Sequence, residues 1–268
     1  MADWAKVVED SGGWGTIDSG RGIRFYLVVI LALDTTTRAG SVAVLHDDTV
    51  VSSVQGDHGR THGERLPAEI ATALDQARLS PREIELIAVA SGPGAFTGLR
   101  IGLAAVQGLA VVLEKPVIGV SALDALAFAT WPRLAAPVVT TLWAWMDAQR
   151  GEVFASRYER RDDGVDDWTP TESPIVGEPL RLLPLMTAGQ SQAIAVVGDG
   201  ATKYRQAIDE WSERSWQVLE PPEMLAGAIG AIGRRRAARG LAGAPHALQP
   251  LYVRRPDAEL ERERRITP

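Results

Sequence analysis

The chain contains no cysteine, which excludes a disulfide framework, a thiol nucleophile and a thiolate metal site. Positive charge is in deficit: 28 Lys and Arg face 34 Asp and Glu, a net charge of −6. That balance argues against unaided nucleic-acid binding, because Lys and Arg contacts to phosphate supply most non-specific affinity. No apolar run approaches the ~20 residues needed to span a bilayer. Met1 to Gly22 has neither the basic start nor the apolar core of a signal peptide. The expectation is a cytoplasmic globular protein, to which 46% hydrophobic and 23% charged residues are suited. A length of 268 residues accommodates two modest lobes, each with its own core.

The most informative segment is Ser91-Gly-Pro-Gly-Ala-Phe-Thr-Gly-Leu-Arg-Ile-Gly102. It follows the apolar run Ile84 to Ala90, which reads as a buried strand, and opens onto Leu103 to Leu113, which reads as a buried helix. Strand, glycine-rich turn and helix together aim backbone N–H groups at an anion. Gly92, Gly94 and Gly98 permit close backbone approach, Pro93 stiffens the turn, and Thr97 is expected to cap the helix. A tight turn with a capped helix and no ligand is the alternative. No Gly-Lys-Ser/Thr follows, so this is not a Walker A loop, and the glycine spacing does not fit the dinucleotide fingerprint.

Upstream, Phe25 to Leu33 is a strand-length apolar run ending in Asp34-Thr35-Thr36-Thr37. Ser41 to Leu45 and Thr49 to Val51 follow across short polar turns, which predicts a β-meander. Its first turn carries a carboxylate and three hydroxyls, the groups that actin-like ATPases and sugar kinases place around phosphates and Mg²⁺. Asp and Thr are also ordinary turn formers.

These segments belong to a longer series. In order come Ile30 to Thr37, His62-Gly-Glu-Arg-Leu66, Ser91 to Gly102, Val117 to Leu123, Met146 to Phe154, Val197 to Ala201 and Pro250-Leu-Tyr-Val-Arg254. Together they resemble the TsaB family, the small subunit of the bacterial tRNA threonylcarbamoyladenosine machinery, over about residues 27 to 258. The resemblance implies an α/β, actin-like ATPase fold with two lobes, each a mixed sheet with flanking helices. It implies a non-catalytic subunit that pairs with the similar catalytic subunit TsaD, works with the ATPase TsaE, and meets tRNA only through the complex. It also implies a homodimer when alone and no required cofactor. The residues themselves point to at most a weak ATP or ADP site at Asp34, Thr35, Thr36, Gly92, Gly94, Thr97 and Gly98, with working ATP hydrolysis as the alternative.

The expected divisions are an N-terminal extension over 1–26, an N-terminal lobe over 27–130 and a second lobe over 131–220. A helix over 221–250 is expected to return toward the N-terminal lobe, leaving a tail over 251–268. Residues 1–24 read as a disordered extension, with a docking segment using Trp4 and Trp14 as the alternative. Arg60 to Leu79 has helical spacing, with Pro67 expected in its first turn. Ser121 is expected to cap a short helix through Phe128. Val138 to Met146 and Gly151 to Tyr158 read as a hairpin after the Pro-spaced stretch Trp131 to Pro137, and Ile194 to Val197 as a further strand. Strand-then-Asp turns at Asp34 and Asp147 suit a duplicated plan. Met224 to Arg239 reads as a helix with its basic end at the C-terminus.

The same residues also admit enzymatic readings. His58 and His62 have i,i+4 spacing, but no suitably placed third ligand accompanies them. In TsaD a metal sits on a His-x-x-x-His after the strand that follows the Gly-loop helix. Ala122 and Leu126 hold the matching positions here, and Asp124 between them is one carboxylate, too few for a catalytic Fe or Zn ion. Ser91 lacks a Gly-x-Ser-x-Gly elbow and a His partner. Asp147 is a candidate phosphate-side acid, although Gln149 and Arg150 crowd it. The Arg234-Arg235-Arg236 run and the arginines from Arg254 to Arg265 read as solvated, with an RNA-facing role as the alternative. The runner-up function is an autonomous enzyme of the same fold, a small-molecule kinase or a glycoprotein peptidase.

The expected partner surface pairs two helices. Leu66, Ile70 and Leu74 come from the first, and Ile101, Gly102, Ala105, Gly108 and Leu109 from the Gly-loop helix. An apolar surface nearly all round exceeds what packing on one sheet face requires. Coverage by the second lobe or the C-terminal helix is the alternative.

Overall fold

The computed structural model describes residues 28–134, 139–160, 168–187, 193–213 and 215–254. The extension, most of the Pro-spaced stretch after Arg133 and the tail beyond Arg254 lie outside the described residues. Two compact units are present. One takes in residues up to Ser91, Ala95–Ala125 and Glu223–Gln249; the other takes in Gly92–Gly94, Leu126–Pro222 and the residues from Pro250.

The first unit is built on a mixed sheet. Strands β1 (Val29–Asp34), β2 (Ser41–His46) and β3 (Thr49–Gln55) form the expected antiparallel meander. Strand β4 (Leu86–Gly92) lies parallel to β1, and β5 (Val117–Ser121) completes the order β3-β2-β1-β4-β5. Alternation along β1 divides its side chains between two faces. Leu31 and Leu33 join Leu66, Leu74, Leu99, Leu103 and Val106 in one core. Those residues come from helices α1 (His62–Ala77) and α2 (Phe96–Leu113).

Helix α1 starts where Thr61 and Glu64 form a capping box, with the Glu64 carboxylate accepting from the Thr61 N–H at 2.8 Å and its hydroxyl at 2.7 Å. That start places Pro67 inside the helix rather than in its first turn. Helix α2 begins one residue before Thr97, with Ala95 as N-cap and no side-chain cap. The expected Thr97 cap is therefore incorrect: Thr97 already lies in the helix, exposed to solvent. Its 18 residues and mean hydropathy of 1.7 meet the length and composition of a membrane-crossing helix. This corrects the expectation that no apolar segment approached that size. Its Leu99–Leu103–Val106–Ala110 stripe is nonetheless buried in the core of this unit.

After β5, α3 (Ala122–Thr130) begins with the Ser121 hydroxyl accepting from the Asp124 N–H at 3.4 Å, the cap expected there.

The second unit carries the duplication. Strands β6 (Val139–Asp147) and β7 (Val153–Arg160) form the expected antiparallel hairpin, with β8 (Trp168–Pro170) and β9 (Ile175–Gly177) both pairing with β7. Helix α4 (Pro179–Thr187) follows. Strand β10 (Ala193–Val197) lies parallel to β6. Helices α5 (Asp199–Lys203) and α6 (Arg205–Trp211) then lead to β11 (Gln217–Leu219), parallel to β10. The order β8-β7-β6-β10-β11 repeats β3-β2-β1-β4-β5 element for element. Asp34 and Asp147 each close the first strand of a repeat. The α/β class with two mixed, helix-flanked sheets is the actin-like plan expected.

Helix α7 (Ala226–Ala237) covers the other face of the first sheet. Gly230 and Gly233 make that possible: a Cβ at Gly230 would stand 2.4 Å from Leu45, and one at Gly233 2.8 Å from Ala88. Its N-terminus is capped from a distance, because the Ser41 hydroxyl accepts the N–H groups of Leu225 (3.3 Å) and Ala226 (3.1 Å).

Candidate functional site

The Asp34 turn is held by its own side chains. Asp34 is buried, and Oδ1 accepts from the Thr36 N–H at 2.8 Å and the Thr36 hydroxyl at 2.6 Å. Oδ2 accepts from the Thr37 hydroxyl at 2.8 Å. Three of the roughly four acceptor positions of that carboxylate are thus taken by protein donors. Thr35 is fully buried, and its carbonyl and side chain lie against α2: a Cβ on Gly98 would stand 2.3 Å from the Thr35 carbonyl, and one on Gly102 2.1 Å from its Oγ1. The Ala95 N–H donates to the Thr36 carbonyl at 3.2 Å. Asp34, Thr35, Thr36 and Gly98 are therefore brought together, but as a turn clasped to the first turns of a helix. Thr97 is exposed beside them, whereas Gly92 and Gly94 belong to the second unit.

The positions that the resemblance sets against a metal-binding His-x-x-x-His are filled differently. Ala122 and Leu126 are buried, and the Asp124 carboxylate pairs with the Arg236 guanidinium at 2.6 Å. A guanidinium supplies the positive charge there, and two aliphatic side chains in place of ligands do not fit a metal ion. Among the described residues no group of three or more His, Asp or Glu could hold a metal. His58 and His62 do not form a pair, because Thr61 caps α1 between them and His62 faces the protein.

Asp147 is also internally occupied. Lys203 Nζ lies 3.0 Å from Oδ1 and 2.9 Å from Oδ2, and Gln149 donates its N–H and its side-chain amide to the same carboxylate, each at 3.0 Å. Hydrogen bonding to Asp147 raises Lys203 above the usual lysine value. Asp199 Oδ1 accepts from the Asp147 N–H at 3.0 Å and the Gly200 N–H at 2.9 Å. Lost hydration around that carboxylate raises Asp199 above the ordinary aspartate value, although the residue keeps an exposed edge.

The expected partner surface divides in two. Leu66 and Leu74 are buried in the core of their own unit, and Gly102 faces Thr35, so these three are removed from it. Ile70, Ile101, Ala105 and Leu109 are partly buried at the edge of that core, and Gly108 is exposed. Val111 and Val112 are 64% and 79% exposed, extending the apolar face of α2 beyond what the sequence suggested. Helix α7 lies on the opposite side of the sheet and does not cover α2; within the first unit the Pro245–Leu248 segment reaches α2, where Gln107 donates to the Pro245 and Leu248 carbonyls. The Arg run staples α7 within its own unit, Arg234 to Asp47 and Arg236 to Asp124. Arg254 is held in the second unit by the Ala148 carbonyl at 2.9 Å and by Glu152.

The chain is similar to the tRNA threonylcarbamoyladenosine biosynthesis protein TsaB of Escherichia coli, 33% identical over 228 residues, covering 84% of this chain and 94% of that protein. The chain belongs to the TsaB family. The Bacillus subtilis TsaB is 25% identical over 240 residues, covering 87% of this chain and 96% of that one. The solved structure of YeaZ from Pseudomonas aeruginosa matches with a TM-score of 0.67 at 28% identity, covering 84% of this chain and all of that one. A family model described as "TsaD: tRNA N6-adenosine threonylcarbamoyltransferase" matches residues 54–181. Membership of the TsaB family gives the chain a role in tRNA threonylcarbamoyladenosine biosynthesis.

Several site features were missed in the sequence. Arg65 is buried, bonded to the Ala39 carbonyl, to Glu69 at 2.5 Å and to His62. The Asp147–Lys203 and Asp124–Arg236 pairs join residues far apart in the chain, and no local spacing signals them. The Thr61-x-x-Glu64 box and the i,i+4 spacing of Arg65 and Glu69 were readable as local patterns.

Proposed function

We propose that this chain is a non-catalytic scaffold subunit, which pairs with TsaD and works with TsaE in transferring a threonylcarbamoyl group from threonylcarbamoyl-AMP to N6 of the tRNA adenosine beside the anticodon. One observation carries the reading. The three acids that an actin-like enzyme could commit to metal or phosphate are each engaged by this chain's own donors: Asp34 by Thr36 and Thr37, Asp124 by Arg236, and Asp147 by Lys203 and Gln149. Releasing the buried Asp34 breaks charge-assisted hydrogen bonds, each contributing roughly 1.5–3 kcal/mol; the Asp124 and Asp147 pairs are partly exposed. Any ATP or ADP bound at the Asp34 turn is held weakly, and no cofactor is required.

The docking face is the outer side of α2, with Ile101, Ala105, Gly108, Leu109, Val111 and Val112, flanked by Ile70 of α1. Small residues at Ala105 and Gly108 let a second helix approach closely. Two helices from each partner would give a four-helix contact, and each Leu, Ile or Val buried there contributes roughly 1.5–3 kcal/mol. The same face supports a homodimer in the absence of TsaD. Contact with tRNA comes through the complex.

The test is a reconstitution with TsaD, TsaE, tRNA and threonylcarbamoyl-AMP, in which this chain is the component omitted. Modification requires its presence, and the chain alone modifies nothing. Kinase or peptidase turnover by the purified chain would instead support an autonomous enzyme.

A further inference from the structure

His62 stands where three elements meet. Its Nε2–H donates to the Thr37 carbonyl of the Asp34 turn at 3.2 Å, and its Nδ1 accepts from Arg65 Nη2 at 2.7 Å. The ring is packed between two glycines: a Cβ on Gly40 would lie 2.9 Å from Cε1, and one on Gly98, in the first turn of α2, 3.0 Å from Cδ2. Gly40 has φ +64°, so that side of the gap is also suited to glycine. One side chain from the first turn of α1 thereby touches the Asp34 turn and the beginning of α2.

We propose that His62 is a positioning residue: it sets α1 against the Asp34 turn and the start of α2, and so fixes the spacing of the two helices offered to the partner. The geometry stands by itself; the consequence for pairing rests on the docking reading above. A side chain there must accept from Arg65 and donate to a carbonyl at once, across a gap only as wide as a flat ring between two glycines. A neutral imidazole does both, having one N–H and one bare nitrogen. Arg65 cannot do this by itself, since guanidinium has no acceptor, and its other contacts already go to Glu69 and the Ala39 carbonyl. The charges facing the ring are Arg65 and Glu69 from α1 and Asp34 from β1. Thr37, Gly40 and Gly98 present no ionisable side chain. A protonated ring would lose the Arg65 bond and set two cations side by side.

The absence of native cysteine lets spin labels be placed at Thr72→Cys on α1 and Val112→Cys on α2, both exposed positions. Distances between the labels are measured in the free protein by double electron–electron resonance, with His62 intact, as His62→Gln and as His62→Leu. Gln retains a donor and an acceptor; Leu retains bulk alone. A single narrow distribution is expected for His62 and His62→Gln, and a broadened or displaced one for His62→Leu. TsaD affinity, measured on chains that keep Thr72 and Val112 and carry no label, should stay near wild type in the Gln variant and fall about tenfold in the Leu variant. Unchanged distances in His62→Leu, or distances altered as much in His62→Gln, would overturn the proposal. Should His62→Leu not fold, His62→Gln decides: wild-type distances support the role and altered ones overturn it. Failure of the wild-type chain to bind TsaD would count against the docking reading, while the label distances still decide the role of His62.

Discussion

Thr35 fills the space that a side chain on Gly102 would need, its Oγ1 lying 2.1 Å from where that Cβ would be placed. Glycine in mid-helix costs about 1 kcal/mol relative to alanine, so α2 gives up intrinsic stability to seat the Asp34 turn. Gly102→Ala is expected to destabilise by roughly 1–3 kcal/mol net, since overpacking outweighs the gain in helix propensity. Thr35→Ala in the same chain should restore most of the loss. A double-mutant cycle by chemical denaturation checks this, and additive effects would separate the two residues.

Asp34 buttresses the same turn. Asp34→Ala removes the acceptor of two hydroxyls and a backbone N–H, with an expected cost of about 2–4 kcal/mol. Titration calorimetry of the intact chain with ATP and Mg²⁺ should show little heat. Submicromolar affinity abolished by Asp34→Ala would assign the turn to nucleotide binding instead.

Burial, followed by the Arg65 charge, holds His62 below the ordinary histidine value of 6.5. The unfolded chain therefore takes up this proton first as pH falls. The stability tied to the neutral ring is complete above about pH 6.5 and declines as pH falls from there toward the lower folded-state value. His62→Gln should flatten this part of the stability–pH curve, as read by thermal unfolding between about pH 5 and 8. An unchanged curve in the variant would show that other groups produce the decline.

Asp199 shifts the other way. Its raised value means that ionisation works against the folded state, so its unfavourable contribution appears as pH rises above the ordinary aspartate range. Asp199→Asn keeps an oxygen for the Asp147 and Gly200 N–H groups. It is expected to raise the unfolding temperature at pH 7, with the gain vanishing near pH 3. A lower unfolding temperature at pH 7 would mean the charge itself is needed, most directly beside Lys203.

The meander, the Gly-loop strand and helix, the Ser121 cap and the β6–β7 hairpin were legible because each is written in local periodicity and turn chemistry. The Thr97 cap was misplaced because helix α2 starts where the Ala95 N–H reaches the Thr36 carbonyl, a partner far away in the chain. Leu66, Leu74 and Gly102 were assigned to the partner surface because an apolar helix does not state which side its own sheet will take. The sheet takes the Leu99–Leu103–Val106 side, leaving Val111 and Val112 outside. Charge pairing was the least legible layer. Arg236 and Asp124 lie 112 residues apart, and Lys203 and Asp147 lie 56 apart; only the folded chain brings them together.

The docking face itself is open to a direct challenge. Ala105→Arg with Leu109→Arg puts two charges onto the outer side of α2 while leaving the Leu99–Val106 stripe intact. Loss of TsaD co-elution and of tRNA modification is expected, with the circular dichroism spectrum unchanged. A folded double variant that still pairs and supports modification would place the interface elsewhere.

The central claim is that this chain contributes a surface and no chemistry. Asp124→Asn and Asp147→Asn, made singly and together, remove the acids an enzymatic role would require while leaving the α2 face untouched. The decisive measurement is the rate of tRNA modification in the complete TsaD and TsaE mixture, with TsaD co-elution followed in parallel. The account predicts a rate within about twofold of wild type wherever pairing is retained, because a residue absent from the chemistry removes no transition-state stabilisation. A rate reduced about a hundredfold or more in a variant that still pairs fully with TsaD would contradict it.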